Sequence, residues 1–337
     1  MRIVVDAMGG DYAPEVVIQG VQAYLADGSA DLILVGQEAK LKPLLEKYTL
    51  PSDRVQIRYA SQVIEMDEHP AEAVKAKEDS SMVVGMNLLK SGEADAFMSA
   101  GNSGGVLAAA LFRLGRIPGI KRPALSTVFP TQKGFTFILD IGANTDCKAL
   151  YLQQFGIMGS IYAERVLGVP GPRVGIVSNG EEPGKGSMLV QEAFELLKGS
   201  GLNFIGNVEG KDIPAGMADV VVTDGFTGNV IIKLAEGAAG LMLGIIGEEI
   251  RRRKVATLGA LLARPAFRAV KHRLDYAEYG GAPLLGVDGV VIIAHGRSNA
   301  KAICNAIRVA ERAVNGKIVE QIKQGVSERL GASGEDR

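Results

Sequence analysis

Short β-branched runs that end in glycine-rich polar loops, each followed by a helical pattern, recur along the chain and restrict its fold more than any other feature. Residues 3–5, 32–35, 55–58, 124–129, 135–138, 173–177, 219–222 and 290–294 read as strands. Residues 14–26, 38–47, 106–114 and 149–166 read as helices, with a further helix from Ala71 onward. Parallel neighbours need a long crossover, and a helical crossover covers a sheet face. The alternation therefore predicts the α/β class, a three-layer α/β/α sandwich around a mainly parallel sheet. One domain over residues 1–330 is expected, with a flexible tail at 331–337.

Five of the strand ends carry Gly beside Asn, Ser, Thr, Asp, Lys or His, at residues 99–105, 140–146, 178–187, 223–229 and 295–299. Glycine lets backbone come close to a ligand, and the unpaired N–H groups of a first helical turn attract anions. One such loop is an ordinary βα turn; five predict a shared cleft that holds a compact anion. The candidates for binding are Gly101, Asn102, Ser103, Gly104, Asn144, Thr227 and Gly228. Lys185, Asn229, Asp224 and His295 are the candidates for chemistry. The run from Gly180 reads Gly-x-x-x-Gly-Lys-Gly-Ser, which departs from the spacing of nucleotide phosphate loops, and no Gly-x-Gly-x-x-Gly fingerprint occurs.

Charge nearly cancels, 37 basic residues against 38 acidic, so the whole-chain balance does not point to nucleic acid. Cys147, Cys304, His69, His272 and His295 form no metal-ligand spacing, and neither a metal nor a cofactor is expected. The opening MRIVVDAMGGD has too short an apolar run for a secretory signal, and a reducing cytoplasm is the expected location.

The strongest local asymmetry lies in residues 251–273, which carry eight Lys/Arg and no acid. Val255, Leu258, Leu261 and Leu262 recur there at helical spacing, and Pro265 should divide the stretch into two helices. A basic amphipathic segment at 248–285 is expected to protrude from the domain. Arg251, Arg252, Arg253, Lys254, Leu258, Leu261 and Leu262 are its candidates to meet an anionic membrane or an acidic protein. The other reading is a helix whose apolar face packs at a dimer interface.

VDAMGGDYAP, SAGNSGG, DIGAN, TDGFTGN, YGGAPLLG and AHG, in that order, resemble the motifs of the bacterial phosphate acyltransferases, over residues from about 1 to 325. Gly180, Glu182, Lys185 and Gly186 match a further loop, although Ser178 replaces an asparagine and Ser103-Gly104-Gly105 stands where relatives often have Thr-Gly-Ala. The resemblance implies a fold similar to phosphotransacetylases and isocitrate dehydrogenase-like enzymes, a homodimer, and acyl transfer from acyl carrier protein to inorganic phosphate. Direct attack by phosphate on the thioester is implied, with residues 101–104 and Lys185 on the phosphate and Asn229 and Asn144 toward the thioester. Asp224 and His295 would order the site or handle a proton. Acyl carrier protein is acidic and an acyl phosphate is an amphiphile, so the basic stretch would face the carrier protein, the membrane and the downstream glycerol-3-phosphate acyltransferase. Cys147 has no evident base, so no acyl-cysteine is expected. The alternatives are a phosphotransacetylase using acyl-CoA, a hydride-transferring decarboxylase on the same fold, and a non-catalytic membrane scaffold.

Overall fold

The computed structural model describes residues 1–274 and 276–331; Asp275 and residues 332–337 of the expected tail lie outside them. The elements begin β1 (Arg2–Asp6), α1 (Glu15–Leu25), β2 (Asp31–Gly36), α2 (Glu38–Lys47), β3 (Val55–Tyr59), α3 (Pro70–Ala76), α4 (Ser81–Lys90), β4 (Ala96–Ser99) and α5 (Ser103–Arg113). They continue with β5 (Ala124–Thr131), β6 (Gly134–Leu139), α6 (Ala149–Arg165), β7 (Val174–Val177), α7 (Met188–Lys198), β8 (Phe204–Val208), α8 (Asp212–Ala215), β9 (Val220–Val222) and α9 (Gly225–Arg251). The last are α10 (Lys254–Leu262), α11 (Arg264–Leu274), α12 (Tyr276–Tyr279), β10 (Ala282–Leu285), β11 (Val290–Ile293), α13 (Ala300–Asn315) and α14 (Ile318–Gly331).

Eleven strands form one sheet in the order β3-β2-β1-β4-β11-β10-β5-β6-β9-β7-β8. Its side chains alternate between two buried faces. Ile3 and Val5 share a core with Tyr24, Phe155 and Ile307, whereas Val4 and Phe97 pack with Met86 and Val106. Helices cover both faces, which is the three-layer α/β/α architecture, and strands buried on both sides read as continuous apolar runs.

Strand sense divides the sheet. β3, β2, β1, β4 and β11 are parallel, as are β6, β9, β7 and β8. Between the groups β10 runs antiparallel to both β11 and β5, and β5 antiparallel to β6. Three successive reversals leave the second group running opposite to the first. The carboxyl ends of β1, β4 and β11 therefore emerge at one edge of the sheet, and those of β6, β9 and β7 at the other.

α9 is the one helix among the described residues long and apolar enough to cross a membrane. It does not read as a span. Ile231 and Ile232 pack on the sheet, and the chain returns to β10 of the same sheet through α11. A return through the bilayer would carry Arg264, Arg268, Lys271 and Arg273, at about 3 kcal/mol each. α10 buries none of its side chains, and Leu258, Leu261 and Leu262 are exposed. The expected division falls at Ala263, with Pro265 in the first turn of α11, where its missing N–H is no loss. A further break at Arg252 and Arg253 follows α9, and there Glu248 pairs with Arg252 and Glu249 with both arginines, which offsets part of the one-signed charge.

α9 starts against the loop after β6. A Cβ on Gly228 would stand 1.8 Å from the Asp140 carbonyl oxygen. Gly228→Ala must push the helix start off that loop, and we expect a loss of about 3 kcal/mol or more, read as a lower midpoint in chemical denaturation. An unchanged midpoint would show that the contact yields without cost.

Candidate active site

At the first edge, loops 6–11, 99–105 and 295–299 close on one another. The Asp11 N–H donates to the Gly296 carbonyl at 2.8 Å, and a Cβ on Gly9 would stand 2.6 Å from the Gly101 nitrogen, so only glycine permits this contact. Beneath the loops Asp6 is buried and accepts from Ser99 Oγ at 2.7 Å and Met8 N at 3.1 Å. Burial pushes the Asp6 carboxyl above its ordinary value, against hydrogen bonds from Ser81 and Ser99.

Asn102 does not donate to a substrate. Its Oδ1 accepts from Gly105 N at 3.0 Å, and its Nδ2 donates to the Glu65 and Met66 carbonyls at 3.2 Å and to that of Glu68 at 3.1 Å. The side chain is a helix cap that also pins a neighbouring loop. The backbone N–H groups of Ser103 and Gly104, by contrast, have no partner among the described residues. Ser103 is exposed. In the third loop His295 accepts at Nδ1 from Arg297 N at 3.1 Å, which puts the proton of the neutral ring on Nε2. Asn299 caps α13 by accepting from Ala302 N at 2.9 Å. Ser298, an alternative cap by sequence, is left 4% exposed with a hydroxyl that has no partner among the described residues.

At the second edge Asp140 is fully buried and accepts five N–H donors. Leu125 N (3.1 Å), Gly142 N and Ala143 N (3.0 Å each) reach Oδ1, and Asn144 N (2.7 Å) and Nδ2 (2.8 Å) reach Oδ2. Burial pushes this carboxyl upward while the hydrogen bonds oppose it. The other Nδ2 proton of Asn144 goes to the Pro123 carbonyl at 2.7 Å. Asn144 thus has no donor left for a thioester oxygen, and its expected orientation is corrected to a structural one. Asp224 caps α9, accepting from Thr227 N at 2.8 Å and Thr227 Oγ1 at 2.7 Å. Gly228 is explained by its packing on Asp140.

Two polar ends remain uncommitted here. Asn229, in the first turns of α9, has no side-chain partner among the described residues, and the exposed Lys185 ammonium has no ion pair. β7 and β9 are adjacent, so their loops are neighbours, and Ser178 Oγ is buried between strand and loop with no partner. Cys147 donates to the Asn144 carbonyl at 3.6 Å; burial, then the Asp140 charge, push its thiol up to about 12. Such a thiol is not a nucleophile at neutral pH. The carboxylates of Glu181, Glu209 and Asp212 gather within 4.8 Å, but Lys211 pairs with the first two, so their charge is already offset.

One shared cleft within the chain, as expected from the five loops, is not what the strands build. Loops 99–105 and 295–299 belong to the first edge, and loops 140–146, 178–187 and 223–229 to the second. From β4 to β9 there are five strand steps, on the order of 24 Å at ordinary spacing. Gly101, Ser103, Gly104 and His295 are brought together, and so are Thr227, Asn229 and Lys185, but not the two sets. The signal missing from sequence is the sense of β10, whose four residues APLL include a proline and sit in a glycine-rich run.

Two outcomes separate scaffold from chemistry at these loops. Asn102→Ala should lower thermal stability by several degrees, since it leaves a helix start and three carbonyls unpaired; an unchanged melting temperature would return Asn102 to the ligand. Cys147→Ser should keep turnover within about twofold of the parent, because a thiol held so far above neutrality contributes no thiolate. Loss of turnover with retained folding would revive a covalent route.

The fatty acid synthesis protein family matches residues 1–321 of the chain. A phosphate acyltransferase of Dictyoglomus turgidum is 50% identical over 329 residues, covering 97% of this chain and 98% of that one. One from Desulfitobacterium hafniense is 51% identical over 325 residues, covering 96% and 97%. Among solved structures, the EutD phosphotransacetylase from Staphylococcus aureus superposes with a TM-score of 0.61 at 19% identity, over 93% of this chain and 94% of that one. A 4-hydroxythreonine-4-phosphate dehydrogenase from Klebsiella pneumoniae gives 0.52 at 15%, over 93% and 99%, so the same fold also carries dehydrogenases. By its near-complete match to relatives at about half identity, the chain belongs to the fatty acid synthesis protein family, as a phosphate acyltransferase.

Proposed function

We propose that the protein forms acyl phosphate from inorganic phosphate and an acyl thioester carried on acyl carrier protein. The observation that carries this reading is near-full-length similarity, at about half identity, to enzymes named phosphate acyltransferase. A phosphate oxygen attacks the thioester carbonyl; a C–O bond forms, the C–S bond breaks, and the pantetheine thiolate leaves and takes a proton from solvent. Phosphate is already an oxyanion at neutral pH, so no side-chain nucleophile is needed and the protein supplies position and charge.

Lys185 offsets the charge of the phosphate, and the Asn229 amide donates to the oxyanion that develops on the thioester. The Ser103 and Gly104 N–H groups at the start of α5, brought alongside by a second copy because the two edges of one chain stand apart, hold the remaining phosphate oxygens, with Gly101 and Thr227 lining the site and His295 beside it. Asp224 keeps the start of α9 in place. The assignments of Lys185, Asn229, Ser103 and Gly104 rest on their being left uncommitted among the described residues once Asn102, Asn144 and Asp140 are assigned to the scaffold.

The same reading makes the protein a cytoplasmic homodimer that touches the membrane peripherally. The exposed apolar side of α9 suits a second copy. α10, with Leu258, Leu261 and Leu262 beside Arg251 and Lys254, suits an anionic bilayer, where an amphiphilic acyl phosphate would pass to the downstream glycerol-3-phosphate acyltransferase. Acyl carrier protein, being acidic, suits the same basic flank. A second reading, phosphotransacetylase chemistry on acyl-CoA, is favoured by the shared fold.

Incubation with phosphate and either palmitoyl-carrier protein or palmitoyl-CoA should release free thiol and acyl phosphate, faster with the carrier protein. Faster reaction with the CoA ester would select the second reading, and no product from either would overturn both. Lys185→Ala and Asn229→Ala should each lower turnover about a hundredfold or more, the worth of one oxyanion donor; near-normal turnover would remove that residue from the mechanism. Leu258→Asp with Leu261→Asp should abolish co-sedimentation with anionic vesicles while leaving the protein folded, and retained binding would move the membrane contact elsewhere.

A further inference from the structure

The first edge gathers anion-binding donors, and the cations beside them among the described residues already have partners. Ser103 and Gly104 at the start of α5, and Ala300 and Lys301 at the start of α13, present N–H groups with no partner among the described residues. Ser298 adds a buried hydroxyl, 4% exposed and unpartnered, directly before the α13 cap. Both helices exceed two turns, so their positive ends favour negative charge. Yet the cations here are engaged. Lys301 pairs with Glu278, Lys75 lies over Phe112, and Arg297 takes part in other interactions. The complementary groups, the Lys185 ammonium and the Asn229 amide, stand at the second edge, on the order of 24 Å away across the sheet.

α9 indicates how the halves meet. It is rooted in the second edge, its cap and Asn229 being part of that loop, and it packs on its own sheet only through the side bearing Ile231 and Ile232. Phe226, Val230, Leu234, Leu241 and Ile245 are exposed and, at helical periodicity, fall within an arc of about 100° on the other side, while Met242, Leu243 and Ile246 leave the later turns exposed on the first side as well. The helix is 27 residues long, about 40 Å, and nothing among the described residues covers that stripe. Whatever covers it comes in beside Asn229 and Lys185, and only a second copy of this chain brings the missing first edge with it. A two-fold pair would also do this twice, identically.

We infer that the phosphate site is composite, with the free N–H groups at the start of α5 supplied by one protomer and Lys185 and Asn229 supplied by its partner. The inference rests on the acyl phosphate reading for its chemistry but not for its geometry. A single folded chain is then inactive by construction, and the apolar stripe of α9 serves as the alignment device of the site rather than as a mere oligomer contact.

Subunit complementation tests it. Ser103→Asp puts a carboxylate where phosphate would sit, at a helix position that tolerates acids, and Lys185→Ala removes an exposed cation. Each variant alone should lose turnover about a hundredfold or more. A heterodimer isolated by two different tags has one site with both defects and one with neither, so it should recover about half of the parental turnover. The Lys185→Ala with Asn229→Ala heterodimer, defective at the same edge in both protomers, should recover none. No recovery in the first pair, recovery in the second, or failure to isolate any heterodimer would overturn the inference.

A second measurement does not depend on activity. The Ser103→Cys, Lys185→Cys double variant, treated with a short bis-maleimide at low protein concentration, should give covalent dimer on a denaturing gel. Monomer alone, whether linked within the chain or unlinked, would overturn the composite site even if acyl phosphate is made; absence of acyl phosphate from the parent together with covalent dimer would overturn only the reaction.

Discussion

Three antiparallel contacts, β11 with β10, β10 with β5 and β5 with β6, set the terms for everything else in this molecule. In a sheet of uniform sense all strand ends fall at one edge, and a cleft forms where loops face one another. Here the sense reverses an odd number of times, and the glycine-rich loops divide into two groups. Asp6 and Asp140 anchor the groups separately. Each is a buried carboxylate at the end of a strand, and each is surrounded by the hydrogen-bond donors of the loop above it. A buried carboxylate without such donors would be costly, so these loops hold one shape before any ligand arrives.

This distribution of donors explains why some polar residues in the motifs are scaffold and others are available. Asn102 and Asn144 look alike in sequence, each in a loop between a strand and a helix. Both spend their amide protons on backbone carbonyls, Asn144 on Asp140 as well, and hold loops together. The side chains of Asn229 and Lys185 have no partner among the described residues. Preorganised loops with a few uncommitted donors are what stabilisation of a developing oxyanion requires, since the cost of orienting those donors is met during folding.

Much of the fold was legible from residue order. Strands and helices followed from apolar period and from glycine and proline at the breaks, and the layer order followed from their alternation. Loop 99–105 could be read as a helix start near an anion, and Pro265 as a helix boundary, because both depend on neighbours in sequence. What could not be read depends on partners far apart. The placement of β10 beside β5 joins residues about 160 apart and has no local signature. The partners of Asn102, in residues 65–68, are likewise invisible to spacing, and so is the choice between Ser298 and Asn299 as the α13 cap, which only side-chain geometry decides. The basic stretch was legible as charge but not as pairing, since Glu248 and Glu249 turn back onto Arg252 and Arg253 within one helical turn.

The central claim is that the first edge of one protomer's sheet and the second edge of its partner's sheet serve a single phosphate. The most direct measurement is the position of that ion in a crystal of the protein grown with orthophosphate. The account predicts density at the start of α5, within hydrogen-bond distance of the Ser103 and Gly104 nitrogens, with the Lys185 ammonium of the neighbouring protomer in the same shell. Phosphate bound by one edge alone, with Lys185 of either protomer remote from it, would contradict the account.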